Sequence, residues 1–212
     1  MAPRAGPHAI GLIVARCPPG DDTVIFLAAA HDVSCFPFLE RSAMKETCNF
    51  LARTAIPHLV VDRRQSVEHE EEWVAHCLRY RDGIAIVFIA SDEYPQRVAY
   101  KGVAQVREDF LEAYPSGEWR IAGRDFALSR SWNTELMGIL KLYQDPTQVD
   151  ALSRTQQKVD ETKDIMHTTM KNILKRGENL DALVAKSDDL SASSKAFFKT
   201  AQKVNRRCCA IM

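Results

Sequence analysis

The sequence predicts an α+β domain with an antiparallel sheet and flanking helices, followed by one long amphipathic helix and a short basic tail. Three observations carry this. Up to residue 143, β-branched apolar runs alternate with helix-period stripes, punctuated by Pro, Gly and Asp turn signals. From Leu152 to Val204 a single seam of alternating three- and four-residue steps runs without a proline. The chain then ends Arg206-Arg207-Cys208-Cys209-Ala210-Ile211-Met212. The boundaries that follow are 1–143 for the domain, 144–151 for a linker, 152–204 for the coiled coil and 205–212 for the tail. At 212 residues, 46% hydrophobic and 26% charged, the chain is long enough for one core plus an extension.

Within the domain, residues 8–16 (HAIGLIVAR) and 23–30 (TVIFLAAA) read as a hairpin around Pro18-Pro19-Gly20-Asp21-Asp22. A short extended piece is expected near Val33 to Phe36. Glu40 to about Pro57 is helix-like, with Met44, Thr47, Cys48 and Leu51 on one face. Residues 70–79 and 83–90 form a second antiparallel pair across Asp82-Gly83, a dipeptide suited to tight turns. Pro95 opens a helix over 96–114, which Pro115-Ser116-Gly117 ends. Residues 118–130 are irregular, and a last helix spans 132–143 before Asp145-Pro146 marks the join to the seam.

The seam consists of Leu152, Thr155, Val159, Thr162, Met166, Thr169, Ile173, Arg176, Leu180, Leu183, Ser187, Leu190, Ser194, Phe197, Ala201 and Val204. As a continuous helix it would reach roughly 80 Å. Ten members are apolar, five are Thr or Ser, and Arg176 stands near the middle. Self-pairing would set Arg176 against its own copy, a buried like-charge contact costing several kcal/mol. A mixed bundle offering neutral acceptors such as glutamine carbonyls satisfies the guanidinium and fixes register. Gly177 weakens the helix by up to about 1 kcal/mol. The segment is therefore expected to gain order only when partner helices arrive.

The tail is a prenylation box at Cys209, and a terminal Met favours farnesyl. Cys208 is a candidate for a second lipid, most simply palmitoyl. One lipid holds a protein marginally and two hold it stably. Lys195, Lys199, Lys203, Arg206 and Arg207 crowd toward the lipid end with no acidic residue among them, adding attraction to anionic headgroups. The expected attachment is thus reversible and lipid-based, on a cytosol-facing surface, since no apolar stretch reaches the length of a span.

Formal net charge is zero, but residues 151–212 carry twelve Lys/Arg against seven Asp/Glu, leaving the first 150 acidic. The two halves could attract. Cys17, Cys35, Cys48 and Cys77 lack ligand spacing and read as reduced thiols. No metal, no cofactor beyond the covalent lipids and no nucleic-acid partner is expected. A prenylated GTPase is excluded by the missing GxxxxGK[ST] loop. No Ser-His-Asp set is visible, His31 and Cys35 make poor catalysts, and the chain is not expected to be an enzyme.

The strings VDETKDIM, ILKRGENLDALV and SKAFFKTA, flanking a central arginine, resemble the R-SNARE motif. That resemblance implies that Arg176 is the zero-layer arginine, meeting one glutamine from each of three Q-SNARE helices, with the other seam residues as layers on either side. HDVSCFPFLERS, SDEYPQRVAY and LYQDP resemble the longin domain, a profilin-like sheet flanked by helices. As a whole the chain resembles the prenylated longin-type R-SNAREs, the YKT-type synaptobrevin homologues. It departs from them in a longer N-terminus and in the loop from Ser116 to Arg130. The resemblance implies a vesicle SNARE that drives intracellular membrane fusion at Golgi, ER-derived, endosomal, vacuolar or autophagosomal membranes. It also implies a closed state in which Phe36, Phe38 and Phe50 grip the chain's own SNARE segment and lipid. The competing reading is a non-fusing longin adaptor anchored by prenylation.

Overall fold

The computed structural model describes residues 6–69, 72–154, 165–174 and 177–199. Strand β1 (Ala9–Arg16) is the centre of the first hairpin, pairing antiparallel with β2 (Ile25–His31) on one side and with β5 (Ile84–Ser91) on the other. Beyond β5 lie β4 (Trp73–Arg79), β3 (Arg64–His69) and β6 (Met166–Thr169), giving the order β2-β1-β5-β4-β3-β6. Every pair is antiparallel except the last. β6 runs parallel to β3, so the sheet is mixed and not the purely antiparallel one expected.

Both faces of this sheet are covered, and its central strands read accordingly as almost unbroken apolar runs. On β5, Ile84, Ile86, Phe88 and Ala90 point to one core, while Ala85, Val87 and Ile89 point to the other. A bulge between Ala9 and Gly11 shifts the parity of β1, sending Ala9, Leu12 and Val14 to the first core and Ile10, Ile13 and Ala15 to the second.

Helices α2 (Gln96–Ala113) and α3 (Ser129–Leu142) seal the first core with Val98, Val103, Val106, Phe110, Trp132, Leu136 and Leu140. Pro95, with extended backbone, precedes α2 as the sequence requires. Helix α1 (Arg41–Ala55) lies across the opposite face, with Met44, Cys48, Leu51 and Ala55 in one stripe toward the strands.

Several expectations change. Val33 to Phe36 is a turn, closed by the Phe36 N–H donating to the Val33 carbonyl, and Arg41 donates to the carbonyls of Ser34 and Phe36. Strand β3 had no sequence signal, because Arg64-Gln65-Ser66 buries polar groups where apolar ones announce a strand. Pro146 starts a helix, α4 (Pro146–Arg154), where a linker was expected. Asp145 Oδ1 accepts the N–H groups of Thr147 and Gln148, and proline is well placed in a first turn. Cys17, Cys48 and Cys77 are buried free thiols and Cys35 is a half-buried one, as read from the sequence.

Packing on the α2 face leaves no room at Gly102. A Cβ there would stand 2.9 Å from the Phe88 ring and 3.1 Å from that of Tyr143, both deep in the core. Gly102→Ala is expected to lower stability by about 1–3 kcal/mol through overpacking, read as a fall in the urea midpoint at unchanged slope.

Candidate self-docking interface

Over the described residues the seam does not form a continuous rod. After α4, which is held to α2 by the Arg97–Asp150 ion pair and by Lys101 donating to the Val149 carbonyl, the next described residues lie on the β3 edge. There Met166, His167, Thr168 and Thr169 pair with Gln65, Ser66, Val67 and Glu68. An edge strand offers a row of unpaired backbone groups, and β6 covers them along β3. Gln96 Nε2, from α2, reaches both Ser66 Oγ at 2.8 Å and His167 Nε2 at 3.3 Å, stitching the new strand to the sheet.

The chain then crosses to the α1 face. Thr169 caps the short helix α5 (Met170–Ile173), its hydroxyl accepting the Asn172 N–H at 3.3 Å. Gly177 takes φ 99°, a left-handed turn that separates α5 from α6 (Leu180–Lys186). Asn179 caps α6 through the Asp181 N–H. A last helix, α7, spans residues 192–199.

What these pieces bury overlaps the seam without matching it. Leu180, Leu190 and Ser194 are seam members and are buried, and Ile173, Leu183 and Phe197 pack partly buried against the same core. Met170, Val184 and Phe198 are equally buried yet lie beside the seam. Each large apolar side chain removed from water contributes roughly 1.5–3 kcal/mol before ordering costs. Met166 stays exposed on β6, Thr169 serves as a cap, and Ser187 is half-buried, its hydroxyl accepting the Asp189 N–H. Leu152 lies in α4. Thr155, Val159, Thr162, Arg176, Ala201, Val204, Cys208 and Cys209 lie outside the described residues.

Over 165–174 and 177–199 the segment therefore forms short separate pieces in place of the expected continuous helix. These pieces pack on the domain's own apolar face, and Gly177 turns the chain between two of them.

The three phenylalanines fare differently. Phe50, on α1, meets Phe198 of α7 edge-on at 5.9 Å between ring centroids, and it is buried. Phe36 is buried against Trp73 at 5.4 Å, inside the same core. Phe38 is 81% exposed in the 3-10 turn before α1, and Leu39 beside it is 90% exposed, so neither packs into that core. His69, at the end of β3, stacks on Phe198 at 5.3 Å between ring centroids.

Sequence reasoning missed His69, Met170, Val184 and Phe198. The last three form a second apolar stripe alongside the seam, and that stripe was the available signal.

Polar contacts rim the apolar seal. Glu46 of α1 accepts the Ser191 N–H at 2.7 Å, and His58 faces Glu178 at 3.5 Å. Burial first, and Lys171 second, push the His69 imidazole down to about 4 from 6.5.

This geometry, a longin-like sheet wrapped by its own C-terminal segment, agrees with the family comparisons. Residues 35–136 match the longin model, described as a regulated-SNARE-like domain, and residues 151–210 match the synaptobrevin model. The Synaptobrevin homolog YKT6 of Yarrowia lipolytica is 44% identical over 194 residues, covering 92% of this chain and 95% of its own. The chain belongs to the longin-type YKT6 R-SNARE family.

The Saccharomyces cerevisiae homologue is 39% identical over 194 residues (91% of this chain, 94% of its own), and the VAMP-like protein YKT61 of Arabidopsis thaliana is 38% identical over 201 residues (95% and 98%). Membership carries an R-SNARE role in vesicle trafficking. Among the described residues of this R-SNARE, no helix is long and apolar enough to cross a membrane.

Protonation of His69 should weaken docking. Above pH 6.5 the ring is neutral whether the segment is docked or released. Below that, the released form binds a proton while the docked form resists until about pH 4, so docking loses stability as pH falls through this window. At pH 5.5 docking is expected to be roughly tenfold weaker than at pH 7.5, read by a fluorescence distance pair placed on α1 and α7. His69→Phe should flatten that response.

Proposed function

We propose that this R-SNARE donates one helix, with Arg176 at its zero layer, to a four-helix complex with three glutamine-bearing helices, and that the longin domain keeps that helix in reserve. The observation that carries the reading is the double use of Leu180, Leu190 and Ser194. They belong to the seam that partner helices would cover, and all three are buried in the fold, the two leucines in the same core as the apolar stripe of α1. A side chain cannot occupy both places, so docking and assembly exclude each other.

The anchor in this reading is a prenyl group on Cys209, with a second, reversible lipid on Cys208. In a chain held that way, zippering from Leu152 toward Val204 would draw its membrane to the one that carries the partners. Burial of successive layers offsets the entropy of ordering the strand. The compartments that fit are those of ER–Golgi, endosomal, vacuolar or autophagosomal transport, with a cytosolic pool held closed.

Gly177 fits both states. Glycine tolerates the left-handed turn of the docked form and, at a cost of up to about 1 kcal/mol, the helical conformation of the assembled one. No atom lies within 4 Å of where its Cβ would be, so Gly177→Ala acts through the backbone alone. The variant should lose docking and bind a soluble set of three glutamine-bearing helices several-fold faster than the wild type. An unchanged assembly rate would remove Gly177 from the switch.

Phe50→Glu puts a charge against Phe198 and is expected to move the lipidated protein from cytosol to membrane in fractionation, while Cys209→Ser abolishes membrane recovery in either background. Failure of the wild type to form any four-helix complex, with lipidation intact, would favour the adaptor reading instead.

A further inference from the structure

We propose that Arg53 is a preformed receptor for Asp189, and that this ion pair latches the docked segment onto the domain. The inference rests on the closed state described above and names the contact that regulates it. Arg53 sits in the last turn of α1 with every part of its guanidinium engaged. Nη1 donates to the Val24 carbonyl at 2.6 Å, Nη2 to Asp125 Oδ2 at 2.5 Å and Nε to Asp189 Oδ2 at 2.6 Å, while the group lies 4.1 Å from the centroid of the Phe26 ring.

Three of those four contacts belong to the domain itself. Asp125 is in turn fixed, because its other oxygen accepts the Phe26 N–H at 2.8 Å and the neighbouring Phe126 N–H donates to the Phe26 carbonyl at 2.6 Å. The loop carrying Asp125 thereby closes over the outer edge of β2, and the guanidinium is already oriented when the segment is absent. Only the Asp189 contact is made and broken with docking.

Pre-orientation matters for the energetics. An exposed ion pair between two free side chains gains little, because ordering both offsets the attraction. Here one partner is immobile, stacked on an aromatic ring and about a quarter exposed, at 28% for Arg53 against 22% for Asp189, so most of that cost is absent.

Asp189 lies outside the seam, between Ser187 and Leu190, and its loss takes nothing from the layers. The latch also runs against the overall charge pattern, pairing a cation of the acidic half with an anion of the basic half. Bulk attraction between the halves does not produce it.

The test uses the full chain with a distance pair on α1 and α7, alongside amide protection of β5 as a check on the domain. Arg53→Met and Asp189→Asn should each raise the undocked fraction roughly fivefold, and the double variant should add nothing further. Should Arg53→Met lose β5 protection, Asp189→Asn and the salt dependence of docking carry the test, since Asp189 belongs to no element of the domain. A docked wild type with Asp189→Asn equally docked at all salt concentrations overturns the latch alone. A wild type that is undocked overturns the closed-state reading and the latch with it.

Discussion

One apolar surface organises the molecule: the face made by α1 and the second side of the sheet, which no element of the longin domain covers from outside. A sheet buried on both sides needs two lids. On the α2 side, α2 and α3 supply a complete one. On the other side α1 covers the strands, but Phe50 at its flank and the β3 edge beyond it remain to be closed, and Phe198, Val184, Leu180 and β6 close them. The same surface that stabilises the domain therefore also holds the C-terminal segment.

The segment's covering of that surface is made of many short pieces. β6 has four residues, α5 four and α6 seven, each too short to be stable alone. Their order is borrowed from the surface beneath them. A structure assembled this way opens at lower free energy than the core strands.

The polar rim adds direction to what apolar burial leaves unspecific. Hydrophobic contact alone would tolerate sliding of α6 and α7 along α1. Glu46 on the Ser191 N–H, Arg53 on Asp189 and His58 facing Glu178 fix the register at three points along the same helix and the turn that follows it.

The order of the sheet-forming hairpins, the helices α1 to α3 and the apolar character of the seam were all legible in the sequence, because periodicity and turn chemistry are local properties. β3 was not, since a strand that buries Gln65 and Ser66 has polar residues where the pattern demands apolar ones, and only Tyr100, Gln96 and His76 across the fold satisfy that serine. Which face of the seam is buried was also hidden. The heptad period identifies one stripe, and the domain uses that stripe together with its neighbour, because the segment covers α1 and the sheet together and not one other helix. The sequence by itself determined that residues 152–204 own an apolar stripe in search of cover. Tertiary structure decided what provides the cover over the described part of that stripe, because long-range contacts such as Phe50 with Phe198 and Gln65 with Met166 join residues whose separation along the chain leaves no trace in local pattern.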